Sequence, residues 1–375
     1  MTIKVGSVFS GIGAFEQALK RLDYNHEVAF ACDNGNINLD LDFDLELMNV
    51  RKLNSIKEKN DYVKAIYKES SRKTNFVELS YKANYQIEED NFFYDIKLFD
   101  GYDFREKIDL YVGGSPCQSF SSIGGKAGLE DTRGTLFYDY VRVLEEVKPE
   151  VFIYENVYGL YRHDKGKTWR VIQDVFENLG YHFKFEVLDS RDYGIPQGRR
   201  RIFVVGFKEK KKAERFNFPS KKQLQLTMQD LLVDNASEGS VIGKDGALKI
   251  IKSNGDEVDE KYYLSEKLLK YCLSPGTKNF MHKDAKIDLP IARALLATMG
   301  NHHRSSVNNY VTTNGRVRML TTREVHRLMG FTDDYKIVVS KAQAYKQAGN
   351  SIVVDVLVDL IREINKVMGW KNEKN

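Results

Sequence analysis

Ile3–Gly13 reads IKVGSVFSGIG and joins a short apolar strand to a glycine turn. Apolar residues then recur at helical spacing over Phe15–Leu22, and a second apolar run, Val28–Cys32, ends at Asp33. A strand, a tight turn, a helix and another strand in this order are typical of a parallel sheet covered by helices. These residues therefore predict a doubly wound, Rossmann-like α/β domain.

The same alternation resumes after residue 107, beyond a stretch of different texture. Asn36–Asn91 is rich in Asn, Lys, Asp and Glu, and we interpret it as a polar surface insertion with helical pieces around residues 45–53 and 62–67. After it, the apolar pattern predicts strands at Ile108–Val112, Val151–Tyr154, Tyr181–Leu188 and Arg201–Phe207, and helices at Leu136–Glu146 and Thr168–Leu179.

The α/β rhythm ends near Lys208, and helical periodicity returns only at Thr321–Gly330 and Ile352–Met368. We therefore expect a catalytic domain at residues 1–207 that contains the insertion 36–91. A second, smaller domain is expected at 208–335. A C-terminal segment, 336–375, is expected to return to the first domain.

Composition limits the class of protein. The 375 residues are 42% hydrophobic, which is enough for a packed core. The sequence contains no run of about 18 apolar residues, the length that is needed to cross a bilayer. The N-terminus lacks the features of a signal peptide. Cys32, Cys117 and Cys272 are far apart, so neither a disulfide framework nor a cysteine-based zinc site is expected, and a reducing cytoplasm fits. A net charge of +4 permits a nucleic-acid partner without requiring one.

The glycine turn and the end of the second strand favour a nucleoside-containing cofactor. Glycines at a strand end let a ligand approach the backbone closely. The spacing is not G-x-G-x-x-G, because Glu16 stands at the third glycine position, so a dinucleotide pyrophosphate is not favoured. Asp33 lies where a ribose-binding carboxylate would sit, although a turn or cap residue is the alternative.

Two further strand ends carry residues suited to catalysis. Cys117 follows a strand and the turn Gly113–Pro116, which favours an exposed thiolate nucleophile over an inert buried cysteine. Glu155 ends the next strand between the apolar residues Ile153 and Val157, which favours a raised pKa and proton donation over a buried ion pair.

A basic cluster, Gln197–Arg201, stands at the start of a later strand. Side chains alternate along a strand, so Arg199 and Arg201 would point to one side, which could be the same cleft. A phosphate or a base oxygen is a natural partner for them, and a solvated turn is the alternative.

Together, in this order, these motifs resemble those of the DNA (cytosine-5) methyltransferases of the prokaryotic and phage restriction-modification type. The matching pieces are Phe9-x-Gly11-x-Gly13, Gly114-Ser115-Pro116-Cys117-Gln118, Glu155-Asn156-Val157, Gln197-x-Arg199-x-Arg201, Leu320-Thr321-x-Arg323-Glu324, Arg327-Leu328-Met329-Gly330-Phe331 and Gly349-Asn350-Ser351.

The resemblance implies a sheet that binds S-adenosylmethionine, a target-recognition domain and a mechanism. Cys117 would add to carbon 6 of a cytosine that is flipped out of duplex DNA. Glu155 would supply a proton, and Arg201, with Arg199, would hold the base oxygen or a phosphate. Carbon 5 would then take the methyl group of S-adenosylmethionine.

The resemblance also implies which residues bind the cofactor. Asp33 stands for a ribose carboxylate that is more often Glu, and Asp95 for the carboxylate that reads the adenine amine, with Asp100 as a competing choice. Asn34 departs from the bulky apolar residue that often follows the ribose carboxylate. Met329 stands where Gln is usual. The implied set is Phe9, Ser10, Gly11, Ile12, Gly13, Asp33, Asn34, Asp95, Ile96, Pro116, Leu136, Asn350 and Ser351.

Residues implied to contact double-stranded DNA lie in two regions. One is the loop after the cysteine, and the other is the pair of polar loops in the second domain. His302 and His303 lack a third ligand, so no metal is expected. The implied DNA-binding residues are Ser121, Ser122, Ile123, Arg133, Thr298, Asn301, Arg304, Thr313 and Arg316.

Alternative functions are an RNA (tRNA) cytosine-5 methyltransferase on the same scaffold and a catalytically inactive DNA-binding homologue. A nicotinamide dehydrogenase is disfavoured by Glu16 and leaves Pro116–Gln118 unexplained. We expect a monomer in the prokaryotic cytoplasm, associated with the nucleoid and not with a membrane. The recognition sequence and a separately acting restriction endonuclease are left open.

Overall fold

The computed structural model describes residues 2–116, 136–233, 239–242, 248–251, 257–274, 286–301 and 303–370. The strands are β1 Ile3–Val8, β2 His26–Cys32, β3 Phe92–Phe93, β4 Leu110–Gly113, β5 Val151–Val157, β6 His182–Asp189, β7 Gln197–Gly198, β8 Arg200–Phe207, β9 Gly239–Ile242, β10 Leu248–Ile251, β11 Ala292–Arg293, β12 Tyr310–Thr313 and β13 Arg316–Met319. The α-helices are α1 Ala14–Arg21, α2 Phe43–Arg51, α3 Ile56–Ser70, α4 Phe76–Asn84, α5 Leu136–Val147, α6 Tyr158–Arg162, α7 Lys167–Asn178, α8 Lys210–Arg215, α9 Glu266–Leu273, α10 Thr322–Arg327, α11 Lys341–Asn350 and α12 Val354–Met368.

The central sheet contains seven of the described strands, in the order β3-β2-β1-β4-β5-β8-β6. The pairs from β3 to β5 are parallel, whereas β8 is antiparallel to both β5 and β6. The strand order reverses between β1 and β4, and ligands of such sheets bind beyond the carboxyl ends of strands at this switch point. The predicted doubly wound α/β fold is confirmed.

Both faces of the sheet are covered, because successive side chains along each strand enter different cores. On β5, Val151 and Ile153 enter a core that includes apolar residues of α1 and α12, while Phe152 and Tyr154 enter one with residues of α5 and α7. The first core continues into the residues around β12 and α10. The expected domain boundaries stay a prediction.

The polar insertion is packed rather than solvated throughout. Helix α2 covers the first predicted helical piece except for its last two residues, and α3 contains the second. Helix α4 follows without a sequence signal. Asn60 is buried and donates to the carbonyl oxygens of Asp90 and Phe92, while Tyr81 is buried against β2 and β3. The Asn60 amide nitrogen is thus hydrogen bonded, and the Tyr81 hydroxyl donates to Oε1 of Glu16 at 2.7 Å, which helps to explain how so polar a sequence can be partly interior.

The C-terminal helix α12 packs on α1, so the two ends of the described chain meet. Arg21 of α1 and Asp355 of α12 form a buried ion pair with an Nη2–Oδ1 distance of 2.7 Å. In the part of the chain that the structure describes, no helix is both long and apolar enough to span a bilayer.

Candidate active site

A cavity of about 460 Å³ opens beyond the carboxyl ends of β1, β2, β4 and β5. This volume is within the range of small-molecule sites. The cavity joins the residues predicted for cofactor binding to those predicted for catalysis. The predicted residues that line it are Phe9, Gly11, Ile12, Asp33, Asn34, Asp95, Ile96, Pro116, Leu136, Glu155, Arg199, Arg201, Asn350 and Ser351.

A hydrogen bond joins Gly11 and Asp33 beyond the carboxyl ends of β1 and β2. Gly11 has a φ of +53°, and its amide donates to Oδ2 of Asp33 at 3.0 Å. The amide of Gly35 donates to Oδ1 at 2.9 Å. A carboxylate accepts about four hydrogen bonds. Asp33 therefore retains capacity for a ligand hydroxyl, and burial raises the pKa of its carboxyl.

Ser10 and Gly13 are not among the cavity-lining residues. Gly13 has a φ of +75° just before α1, and a Cβ there would lie 2.1 Å from the Tyr85 ring. The amide of Ser10 donates to the carbonyl oxygen of Cys32 at 3.1 Å. Both residues shape the turn, and the contact with Tyr85 explains why a glycine precedes α1.

Of the two competing carboxylates, Asp95 lines the cavity and Asp100 does not. Asp95 accepts from the Tyr67 hydroxyl at 2.6 Å and from the Lys97 amide at 3.0 Å, and burial raises the pKa of its carboxyl. Asp100 instead pairs with the Lys59 ammonium at 2.7 Å. The placement thus favours Asp95.

A buried polar network holds the turn after β4 against β5. The Asn156 amide donates to the Ser115 carbonyl oxygen at 2.9 Å and to the Tyr154 hydroxyl at 2.8 Å. The hydroxyls of Ser115 and Tyr154 are 2.8 Å apart. Pro116 follows and lines the cavity. Asn156 is thus a positioning residue to which the sequence analysis assigned no role.

Glu155 and Arg201 form an ion pair inside the cavity, with an Nε–Oε1 distance of 3.1 Å. Burial raises the pKa of Glu155, and the guanidinium groups of Arg201 and Arg199 partly offset that effect. A Cβ on Gly114 would lie 2.8 Å from Oε2 of Glu155, so only glycine lets the carboxylate lie there undisturbed. The site thus holds a carboxyl group with raised pKa beside a cation.

Arg199 differs from Arg201, because its guanidinium donates hydrogen bonds to backbone carbonyl groups. It donates to the carbonyl oxygens of Leu295, Gly349 and Ser351 at 2.8–2.9 Å. The side chain is buried, which lowers its pKa. Arg199 therefore joins β8 to the segment after α11, and this placement points to positioning rather than to the ligand contact expected for both arginines.

Some predicted residues lie outside the described part of the chain. These are Cys117, Ser121, Ser122, Ile123 and Arg133, together with His302. Their roles stay predictions.

The residues expected to contact DNA differ in their exposure and in the contacts they make within the protein. Thr298 and Asn301 are exposed. Arg304 stacks on Tyr271 at 3.8 Å, and exposed Arg316 pairs with Glu260.

Thr313 faces inward, contrary to what a DNA contact would need. It is buried, and its hydroxyl accepts from Nε of Arg318 at 2.7 Å. Along β12 the neighbouring residue, Thr312, is the exposed one.

Metal ligands do not cluster among the residues that the structure describes. Within those residues, no group of three or more His, Cys, Asp or Glu side chains is suited to a metal ion.

Two walls of the cavity were not predicted. Gln343, Lys346 and Gln347 line it from α11, in register with Asn350 at positions i, i+3, i+4 and i+7. This polar stripe could have been found by its helical spacing. Phe76 and Val77 at the start of α4 line it from the insertion, and no local pattern marks them.

Comparison with known proteins finds similar sequences. The family model for C-5 cytosine-specific DNA methylases matches residues 54–366. The type II methyltransferase M.SsoII of Shigella sonnei is 33% identical over 79% of this chain and 73% of its own length. M.HhaI of Haemophilus parahaemolyticus is 34% identical over 70% of this chain and 77% of its own length.

Solved structures add evidence on the fold alone. The Dnmt2 methyltransferase of S. pombe superimposes with a TM-score of 0.61 at 18% identity, over 98% of this chain and 99% of that one.

Proposed function

Since this chain belongs to the C-5 cytosine-specific DNA methylase family, we propose that it methylates carbon 5 of a cytosine within one short sequence of duplex DNA. The resemblance drawn from the motifs, and the enzyme class that it implied, are confirmed. One observation carries the proposal. A single cavity contains the Glu155–Arg201 pair, the turn that leads into Cys117, and the carboxylates Asp33 and Asp95.

Members of this family use S-adenosylmethionine, and the residues of the cavity fit it. Asp33 and Asp95 each retain acceptor capacity after their internal hydrogen bonds, which suits ribose hydroxyls and an exocyclic amine. Gly11 presents open space, since a Cβ there would meet only the Phe9 carbonyl oxygen at 3.9 Å. When bound, the cofactor supplies an electrophilic methyl group. Asp33, Asp95 and the glycine turn would hold it.

The chain's own residues supply the remaining chemistry. The Cys117 thiolate adds to carbon 6 of a flipped-out cytosine, while the Glu155 carboxyl gives its proton to the ring nitrogen. Arg201 orients Glu155 and holds the base oxygen. After carbon 5 is methylated, loss of its proton to a base expels the cysteine sulfur as the thiolate. The ring nitrogen returns its proton to the Glu155 carboxylate, and the neutral aromatic ring is restored. A carboxyl group with raised pKa suits the first proton transfer.

The relatives support a proposed role in restriction-modification. M.SsoII and M.HhaI are named type II methyltransferases, and we propose that this chain likewise protects host DNA. No observation favours RNA, since the family model is that of DNA methylases and the Dnmt2 likeness concerns fold alone.

The decisive experiment is whole-genome bisulfite sequencing of a host that lacks cytosine methylation and expresses this protein. We expect protected cytosines in one short context, and none in a host that expresses Cys117→Ala. An unmethylated genome despite folded, cofactor-binding protein would contradict the proposal. Labelled methyl transfer to tRNA, measured in parallel, would then identify an RNA enzyme. Protection that survives Cys117→Ala would disprove the nucleophile assignment alone.

A further inference from the structure

We infer that Phe76, from the insertion, provides the aromatic surface against which the adenine of the cofactor binds. The inference rests on the proposed function, because it concerns the same cavity. It gives the polar insertion a defined role, which is to complete the cofactor site on the side where the strand-end loop carries a polar residue.

An aromatic surface in this cavity would suit the adenine of the cofactor. A purine presents two apolar faces, and aromatic side chains are the groups that stack on them most favourably. The residue after Asp33 is Asn34, which lines the cavity with an amide instead of an apolar group. Among the described lining residues, aromatic side chains come from Phe9 and Phe76 alone. Phe9 packs in the sheet core that contains Ile96, so Phe76 is the one supplied from outside the sheet.

Phe76 is fixed to the strand-end loop through Asn75. The Asn75 amide nitrogen donates to the Asp33 carbonyl oxygen at 2.8 Å, and its Oδ1 accepts from the amides of Val77 and Glu78 at 3.1 Å. Asn75 therefore caps α4 and holds the ribose-side loop with one side chain. Gly35 leaves the space, since a Cβ there would lie 2.4 Å from Oδ1 of Asn75.

The opposite side of Phe76 is fixed to α11. Nε2 of Gln347 donates to the Phe76 carbonyl oxygen at 2.8 Å, and Oε1 of Gln347 accepts from the Ser80 hydroxyl at 2.9 Å. Gln347 itself lines the cavity. The start of α4 is thus held between two walls of the cofactor site, which is the arrangement that a preformed binding surface requires.

The insertion also reaches the other group assigned to adenine. Tyr67 of α3 donates its hydroxyl to Asp95 at 2.6 Å, which orients the carboxylate that lines the cavity beside Ile96. Two helices of the insertion therefore serve the adenine side, α3 by orienting a carboxylate and α4 by presenting a ring.

Isothermal titration of the whole protein with S-adenosylhomocysteine tests the inference. Phe76→Ala should weaken binding about 5- to 100-fold, the range of base–aromatic stacking. Phe76→Leu should weaken binding almost as much as Phe76→Ala, because leucine keeps apolar bulk without a ring. Phe76→Tyr should bind within about twofold of wild type. Leu79→Ala is the matched control: it truncates an exposed apolar side chain of α4 and should leave affinity unchanged.

A second ligand separates adenine stacking from a general loosening of the loop. The affinity for adenosine, measured by competition, should fall in Phe76→Ala by the same factor as the affinity for S-adenosylhomocysteine. Unchanged affinity in Phe76→Ala and Phe76→Leu, or an equal loss in Phe76→Tyr, would overturn the inference. If Phe76→Ala fails to fold, the Leu and Tyr variants decide. Wild-type protein that binds neither ligand would instead contradict the proposed cofactor site itself.

Discussion

At the scale of single residues, the site depends on how Glu155 is enclosed. Burial raises the pKa of its carboxyl, and the Arg201 guanidinium, 3.1 Å away, acts in the opposite direction. Gly114 leaves room for the carboxylate where any side chain would collide. The pKa of the Glu155 carboxyl, and with it the availability of the proton that the reaction needs, therefore depends on desolvation opposed by nearby cations, of which Arg201 is the first.

Removing the cation should shift the pH dependence in a predictable direction. If Glu155 must be protonated, kcat/KM falls as pH rises through its pKa. Arg201→Ala removes the effect that lowers this pKa, so the fall should occur at higher pH, in addition to a loss of rate. Arg200→Ala is the control, since this exposed arginine stacks on Tyr158 at 4.6 Å. A basic limb that does not move in Arg201→Ala would rule out Glu155 as the titrating acid.

Adding one methyl group to Gly114 should lower catalysis, because the backbone and the side chain of Glu155 would both have to move. A Cβ would lie 2.8 Å from both the carbonyl oxygen and Oε2 of Glu155. We expect kcat to fall by about 100-fold, since small displacements of reacting groups have effects of that size. Gly159→Ala is the control, because its nearest atom would be 4.0 Å away. Single-turnover methylation measures both variants, and normal turnover in Gly114→Ala would contradict this account of the glycine.

At the scale of elements, the insertion connects its own stability to the cofactor site. Asn75 caps α4 and binds the Asp33 loop, and the α4 backbone also receives a hydrogen bond from α11. An element that looks like a surface excursion in composition therefore forms a wall of the cavity. Its polar residues are used for hydrogen bonds between segments that are distant in sequence.

Removal of the cap should thus affect two properties together. Asn75→Ala should lower the free energy of unfolding by about 1 kcal/mol, as loss of a helix cap does, and should also weaken cofactor binding. Asp42→Ala is the control, because Asp42 caps α2 from an exposed position and does not line the cavity. It should lose similar stability without losing affinity. Equal affinities in the two variants would show that the tie to Asp33 has no functional effect.

At the scale of the whole molecule, the first helix and the last are joined by a buried charge pair. Arg21 donates to both carboxylate oxygens of Asp355 and to the carbonyl oxygen of Gly330. The pair thus connects α1, the turn after α10 and α12, and it lies in the core that covers one face of the sheet.

Breaking this pair from one side should be costly. Arg21→Met leaves Asp355 buried with its charge uncompensated, and we expect a loss of about 3–5 kcal/mol in the free energy of unfolding by urea titration. Lys20→Met is the control, since the Lys20–Asp334 pair is more than half exposed on both sides and such pairs contribute less than about 1 kcal/mol. The double variant Arg21→Met with Asp355→Leu should recover much of the loss. Equal stability of the two single variants would contradict a structural role for the buried pair.

The parallel part of the sheet and the positions of the residues proposed for chemistry could be predicted from local sequence patterns. Apolar runs that end at Asp33, Gly113 and Glu155 predict strands, and the carboxyl ends of parallel strands share one edge. That rule places the predicted residues around one cavity before the tertiary structure is known. The stripe on α11 was equally accessible, because helical spacing is local.

Local patterns could not predict which of these residues face the cavity, nor which other segments complete its walls. Strand β8 lies between β5 and β6, antiparallel to both, and Arg199 binds carbonyl groups as far away in sequence as Ser351. Asn75 and Phe76, at the start of α4, are held beside the cavity by hydrogen bonds that span 42 and 271 positions of the chain. Periodicity reports only which face of an element is apolar. The partner that covers that face, or that binds a buried guanidinium or amide, is chosen by packing between distant segments.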